Sequence, residues 1–169
     1  MIKKVIFLGI FIFSLSAGLH AQNLSSGQMK LDFTADLTLG KGFDKIETFQ
    51  VGDVDFLFCH NIQSGVSNIW NLNTGGNPVF ERKTYPGWSS FVFFKLDGKT
   101  YLFEFKKESG HYNVYVMNND GSIGDSVKDK GKWSSGWTDF DVMYDGNDEP
   151  RIIMMNASNG RAKFFKPSF

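Results

Sequence analysis

The sequence predicts an all-β fold of three tandem four-stranded antiparallel repeats, and three observations carry that expectation. One pattern recurs three times. Gly87-Trp88-Ser89-Ser90-Phe91 opens one copy and Gly136-Trp137-Thr138-Asp139-Phe140 the next, while Gly42-Phe43-Asp44-Lys45-Ile46 opens an earlier copy with Phe43 in the Trp position. Phe56-Leu57-Phe58, Tyr101-Leu102-Phe103 and Ile152-Ile153-Met154 follow at equivalent places. Then come the glycines Gly65, Gly110 and Gly160, each with an aromatic five residues on: Trp70, Tyr115 and Phe165. The spacing of these glycines, 45 and 50 residues, falls where repeats mean propellers, solenoids or arrays. Finally, helical periodicity is nearly absent beyond the N-terminus, and short runs of Phe, Tyr, Val and Ile alternate with Gly, Asn and Asp turns.

Taken in order, residues 1–21 have the plan of a secretory signal peptide. Lys3-Lys4 form the basic region, Val5 to Leu15 the apolar run, and Ala21 the small residue before the cut. The apolar run is shorter than the roughly 20 residues of a spanning helix. The expected product is therefore secreted or periplasmic, with no membrane span after cleavage. Residues 22–28 are a flexible lead-in, and 29–169 form a single β-repeat domain. Its repeats are about 43–87, 88–136 and 137–169, with 29–42 completing the last.

The middle copy shows the plan most clearly. Phe91 to Phe94 is a strand, Asp97-Gly98 a tight hairpin turn, and Thr100 to Lys106 the second strand. Ser109-Gly110 turns the chain into Tyr112 to Met117, and Asn118-Asn119-Asp120-Gly121 leads to a weaker fourth strand over Ser122 to Val127. The last copy ends after its third strand, so the strand-like Leu31 to Leu39 can supply the fourth and close the edge. Two architectures fit: a small or partial β-propeller-like ring closed by the N-terminal strand, or a β-trefoil.

Lys and Arg total 18, as do Asp and Glu. Without a basic excess or a basic run, nucleic acid is not an expected partner. Cys59 is alone and sits beside Phe56, Leu57 and Phe58, which reads as a buried thiol with no disulfide. Packing must hold the domain, and 18 Phe and 4 Trp can supply it.

The runs Leu39-Gly40-Lys41-Gly42-Phe43, Trp88-Ser89-Ser90-Phe91-Val92-Phe93-Phe94 with Asp97-Gly98 and Tyr101-Leu102, and Lys132-Trp133-Ser134-Ser135-Gly136-Trp137 resemble the blades of tachylectin-2. The resemblance covers the first half of each copy. It implies a β-propeller lectin that binds N-acetylated amino sugars. The family has five blades where this chain has three copies, and its Pro-Pro and Asp-Asn-Trp segments are absent here.

No catalytic signature stands out: there is no Gly-x-Ser-x-Gly elbow, His-Glu-x-x-His helix or phosphate loop. His60 and His111 occupy different offsets in their copies and lack further ligands, so neither a metal nor a cofactor is expected. Asp139 and Asp141, with Glu104 or Glu108 opposite, could form a glycosidase pair. Asp145 to Glu149 reads as an acidic surface turn. Among the aromatics, the recurrent Phe43, Trp88, Trp137, Trp70, Tyr115 and Phe165 are expected in the core. Trp133 has no counterpart in the other copies and is the ring expected on the surface, with Asn113, Asn118, Asn119 and Asp120 as hydrogen-bonding neighbours for a sugar. The expected function is a non-enzymatic carbohydrate-binding module with glycans as partners. A structural or protein-binding repeat domain is the alternative, and a small glycosidase the third reading. Blades shared between chains would make the protein a homo-oligomer.

Overall fold

The computed structural model describes Leu39 and residues 41–169. The expected signal peptide and lead-in lie outside the described residues. So does most of the segment expected to complete the last copy, of which Leu39, Lys41 and Gly42 are described and none is in a strand.

Every regular element among the described residues is a strand. The first sheet holds β1 (Lys45–Val51), β2 (Val54–His60), β3 (Val66–Asn71) and β4 (Phe80–Lys83). The second holds β5 (Ser90–Leu96), β6 (Lys99–Phe105), β7 (His111–Met117) and β8 (Ile123–Lys132), and the third β9 (Asp139–Tyr144), β10 (Pro150–Asn156) and β11 (Arg161–Phe165). Each sheet is an antiparallel meander in which sequence neighbours pair, giving four, four and three strands. Among the described residues the sheets do not close into a ring or barrel. The fourth strand of the second sheet is longer than the sequence implies. It runs to Lys132 because two register shifts, between Val114 and Tyr115 and between Tyr115 and Met117, let it bend and keep pairing.

Turn chemistry fixes these registers. Asp97 and Gly98 both have positive φ, 50° and 71°, as a two-residue hairpin between right-twisted strands requires. Gly110 is needed for a further reason. A Cβ there would stand 2.1 Å from the carbonyl oxygen of Trp133, as one at Gly65 would from that of Thr84. In each of these two copies the recurring glycine lets the outermost strand's exit cross tightly over the second turn.

Strand alternation then sorts the side chains. Phe49, Phe56, Phe58 and Ile69 of the first sheet pack against Phe91 and Leu102 of the second. On its other face the second sheet turns Val92, Phe94, Phe103, Phe105 and Val114 to Ile152 and Met154 of the third. The middle sheet is thus apolar on both faces, which is why β6 reads as a nearly unbroken apolar run. Strands β1, β5 and β9 lie closest to one another from sheet to sheet. Hydrogen bonds tie the sheets there: Thr100 Oγ1 of β6 donates to the Gln50 carbonyl of β1 at 2.6 Å, and the Lys95 amide of β5 donates to the Tyr144 hydroxyl of β9 at 2.7 Å.

Candidate functional site

The five residues expected to contact a ligand do not converge. Trp133 is not a surface ring: it is half-buried, stacked on Phe165 at 4.4 Å, and 4.8 Å and 5.4 Å from Tyr112 and Phe103. Its amide donates to the Gly110 carbonyl, as that of Thr84 does to Gly65 in the first copy. The lack of an aromatic counterpart thus marks a ring wedged between the second and third sheets. Asn113 faces the first sheet, where its Nδ2 donates to Glu104 Oε1 at 2.9 Å and to the Tyr115 hydroxyl at 3.3 Å. Asn118, Asn119 and Asp120 are exposed at the far end of β7. There Asn118 donates to Ser122 Oγ, and Asp120 accepts from the Ser122 hydroxyl and amide, which hold its carboxyl below the usual range. These are turn-forming bonds.

The recurrent aromatics lie in or against the packing. Trp137 is 4 % exposed and Trp70 3 %. Trp88 is half-buried, as are Phe43, Tyr115 and Phe165. Lysines cover both opening tryptophans, Lys106 over Trp88 and Lys163 over Trp137, each with Nζ 5.4 Å from the ring centre. Phe43 instead meets Trp70 edge-on at 5.9 Å.

The glycosidase pairing is also not assembled. Glu104 is fully buried and faces the first sheet, whereas Asp139 and Asp141 are exposed on the side of the third sheet turned away from the second. Glu108 is exposed in the β6–β7 turn. The acidic turn at Asp145 is closed by its own amides and by Arg151, and Lys166 pairs with Glu149. His111 is exposed and 2.9 Å from Ser109 Oγ. Among the described residues no cluster of three or more His, Cys, Asp or Glu could hold a metal ion.

What the sequence did not reveal is a polar cluster inside the first interface between sheets. Arg82 Nη2 pairs with Glu104 Oε2 at 2.7 Å and its guanidinium lies 5.0 Å over the Tyr115 ring. On the same side of the first sheet, His60 Nδ1 and Ser67 Oγ are 2.7 Å apart. Burial, then the Arg82 charge, pulls the His60 imidazole down to about 4, so it stays neutral at ordinary pH. The signal was Glu104 itself, a carboxylate between Phe103 and Phe105 in a strand with no exposed face, which demands a buried partner. Nothing in the sequence names Arg82, 22 residues earlier in another copy.

A second titratable group lies in β1. Burial pushes the Glu47 carboxyl up to about 7, opposed by Lys45 and reinforced by Asp141. From about pH 4.5 to 7, folded Glu47 keeps a proton that the unfolded chain has lost, so stability falls as pH rises. His60 acts oppositely: between about 4 and 6.5 the unfolded chain binds a proton that the folded chain rejects, so stability rises with pH. The two slopes oppose each other over most of that window. In Glu47→Gln only the histidine's remains, and its melting midpoint is expected to climb from pH 4.5 to 6.5 more steeply than that of the unsubstituted chain. Parallel melting curves for the two chains across this range would refute the Glu47 assignment, and a Glu47→Gln midpoint that does not climb would refute that of His60.

The feature with the character of a binding surface is the outward face of the third sheet. Met143 is 45 % exposed, Met155 42 % and Phe164 61 %, with half-buried Ile153 among them. The pairings Ile153↔Phe164 and Arg151↔Met143 place these side chains on one face. Counted from each copy's own glycines, Met143 corresponds to Phe49 and Phe94, and Phe164 to Ile69 and Val114; Ile153, not Met154, corresponds to Phe58 and Phe103, one residue earlier than matching Ile152-Ile153-Met154 to Phe56-Leu57-Phe58 implies. The earlier counterparts are buried against a following sheet; the last set is not.

No family model matches the chain, and no curated protein does. One solved structure with which it shares similarity is the complex of the fission yeast SREBP and SCAP binding domains, at 12 % identity and a TM-score of 0.44, over 78 % of this chain and 39 % of that one. The chain therefore spans well under half the length of that neighbour.

Proposed function

We propose that this chain is a non-catalytic β-repeat module that binds protein through the outward face of its third sheet. Its three sheets act as successive blades of a propeller-like array. The observation that carries the reading is the exposed apolar set Met143, Ile153, Met155 and Phe164, on a face shared with Asp139, Asp141 and Arg151 and in register with residues that elsewhere in the molecule pack against another sheet. Such faces mark interaction surfaces in soluble proteins. Aromatic and Met side chains are the types enriched there.

Photoreactive phenylalanine analogues placed at Phe164 and, as a control, at the exposed turn residue Asp53 test this in the producing cells. Light-dependent adducts of protein mass are expected from position 164 and not from 53. Adducts from neither position would end the proposal.

Carbohydrate binding keeps one observation in its favour. Tyr85, in the loop between β4 and β5, is 85 % exposed, the most exposed of the large apolar side chains among the described residues. A planar ring so presented can stack on a sugar face. If it does, glycan-array signals are expected for the intact chain and are lost in Tyr85→Ala; an array blank for both removes this second reading.

A further inference from the structure

We infer that the partner at the outward face of the third sheet is a second copy of this chain, docked head to tail through the outward face of its first sheet. This inference rests on the protein-binding reading above and names its partner.

The argument is the repetition of one interface. Phe58 of the first sheet meets Phe91 of the second at 4.9 Å between ring centres. Phe103 of the second sheet meets Phe140 of the third at 5.5 Å. By position in the repeat, Phe58, Phe103 and Ile153 are one set, and Ile46, Phe91 and Phe140 are the complementary set. Two pairs of this series are made within the chain. The third pair, Ile153 with Ile46, has its members at opposite ends of the array, each on a face turned away from the middle sheet. Ile46 is 41 % exposed.

The rest of the two faces follows the same rule. Around Ile46 the first sheet carries Leu57 and Trp70, the counterparts of Leu102 and Tyr115, and of Ile152 and Phe165. Leu57 and Trp70 are already buried, so docking begins at the inner strand β1, where Ile46 stands out. Inner strands are also where successive sheets approach most closely within the chain. A contact between unlike faces is heterologous, and it forms a closed assembly only if the rotation returns to the start. Two copies of the three sheets found among the described residues, joined at both ends, give a ring of about six, inside the typical range of four to eight for closed propellers.

The test uses the purified chain with two substitutions at exposed positions, Ile46→Asp and Phe164→Asp. Far-UV circular dichroism and melting curves confirm that both still fold. Light scattering at tens of micromolar is expected to give twice the single-chain mass for the unsubstituted protein and the single-chain mass for each variant. Mixing the two variants is expected to restore association. In the mixed pair, one junction brings together the two intact faces, and the other collects both substitutions. A single-chain mass for the unsubstituted protein at all concentrations would overturn the inference, leaving the face to a different protein or to residues 29–42 of the same chain. A dimer that survives Ile46→Asp but not Phe164→Asp would overturn it in favour of two third sheets packed face to face. Photo-adducts at Phe164 with a mass other than a second copy would leave the protein-binding reading intact and remove this one.

Discussion

Glu104→Leu is expected to destabilise the fold by about 3–5 kcal/mol, because it leaves the Arg82 guanidinium between two sheets without its counter-charge. The carboxylate is 1 % exposed and Arg82 only 17 %, so solvent cannot take over the lost contact. Asn113 loses an acceptor at the same time. For a domain with a typical total stability of about 5–15 kcal/mol, that loss is a large fraction of the whole. The companion variant Arg82→Met with Glu104→Leu should recover much of it, since an apolar pair of similar volume avoids the cost of burying two charges. Urea melts of the unsubstituted chain, both single variants and the double variant form a thermodynamic cycle. If Glu104→Leu melts within about 0.5 kcal/mol of the unsubstituted chain, the pair is screened and the interface is held by aromatics alone. The placement of the pair gives it a second consequence. It joins β4 to β6, so it fixes how far the first sheet slides along the second, which Phe against Phe packing defines less sharply.

The all-β class and the three antiparallel sheets were legible in the sequence, though not a closed ring, because turn chemistry and alternation are local. Asp97-Gly98, Ser109-Gly110 and Asn118 to Gly121 each sit between consecutive strands, and the third sheet has three strands among the described residues. The strands of each repeat also fall inside the repeat limits at 87–88 and 136–137. The site was less legible because it depends on which faces meet. Asn113 and Trp133 lie near each other along the meander, yet strand alternation sends one toward the first sheet and the other toward the third. Met143, Met155 and Phe164 look like ordinary core residues in the sequence. Only the absence of a following sheet in the described structure turns them into a surface.

The same geometry reverses what Trp133 is expected to do. An exposed sugar platform could be removed at little cost to folding, but this ring touches Phe165, Tyr112, Phe103 and Phe105. It bridges β6 and β7 of the second sheet to β11, the last strand of the third. Fully buried Trp to Ala changes cost about 3–5 kcal/mol, and a half-buried ring with these stacking partners should cost about 2–3 kcal/mol. Trp137→Ala, at 4 % exposure, should reach the full range and also leaves Ser134 Oγ without its indole donor. Trp88→Ala is expected to cost least of the three, since its ring is only half-buried, with Lys106 over one face. Denaturant melts therefore give the order Trp137, Trp133, Trp88, and hydrogen exchange separates the mechanisms. Trp133→Ala should raise exchange in β11 far more than in β1 to β4, because its ring packs β11, which has no outer neighbour strand among the described residues, against the middle sheet. Uniform loosening across all three sheets would mean instead that Trp133 supports the whole fold and has no special hold on the third sheet.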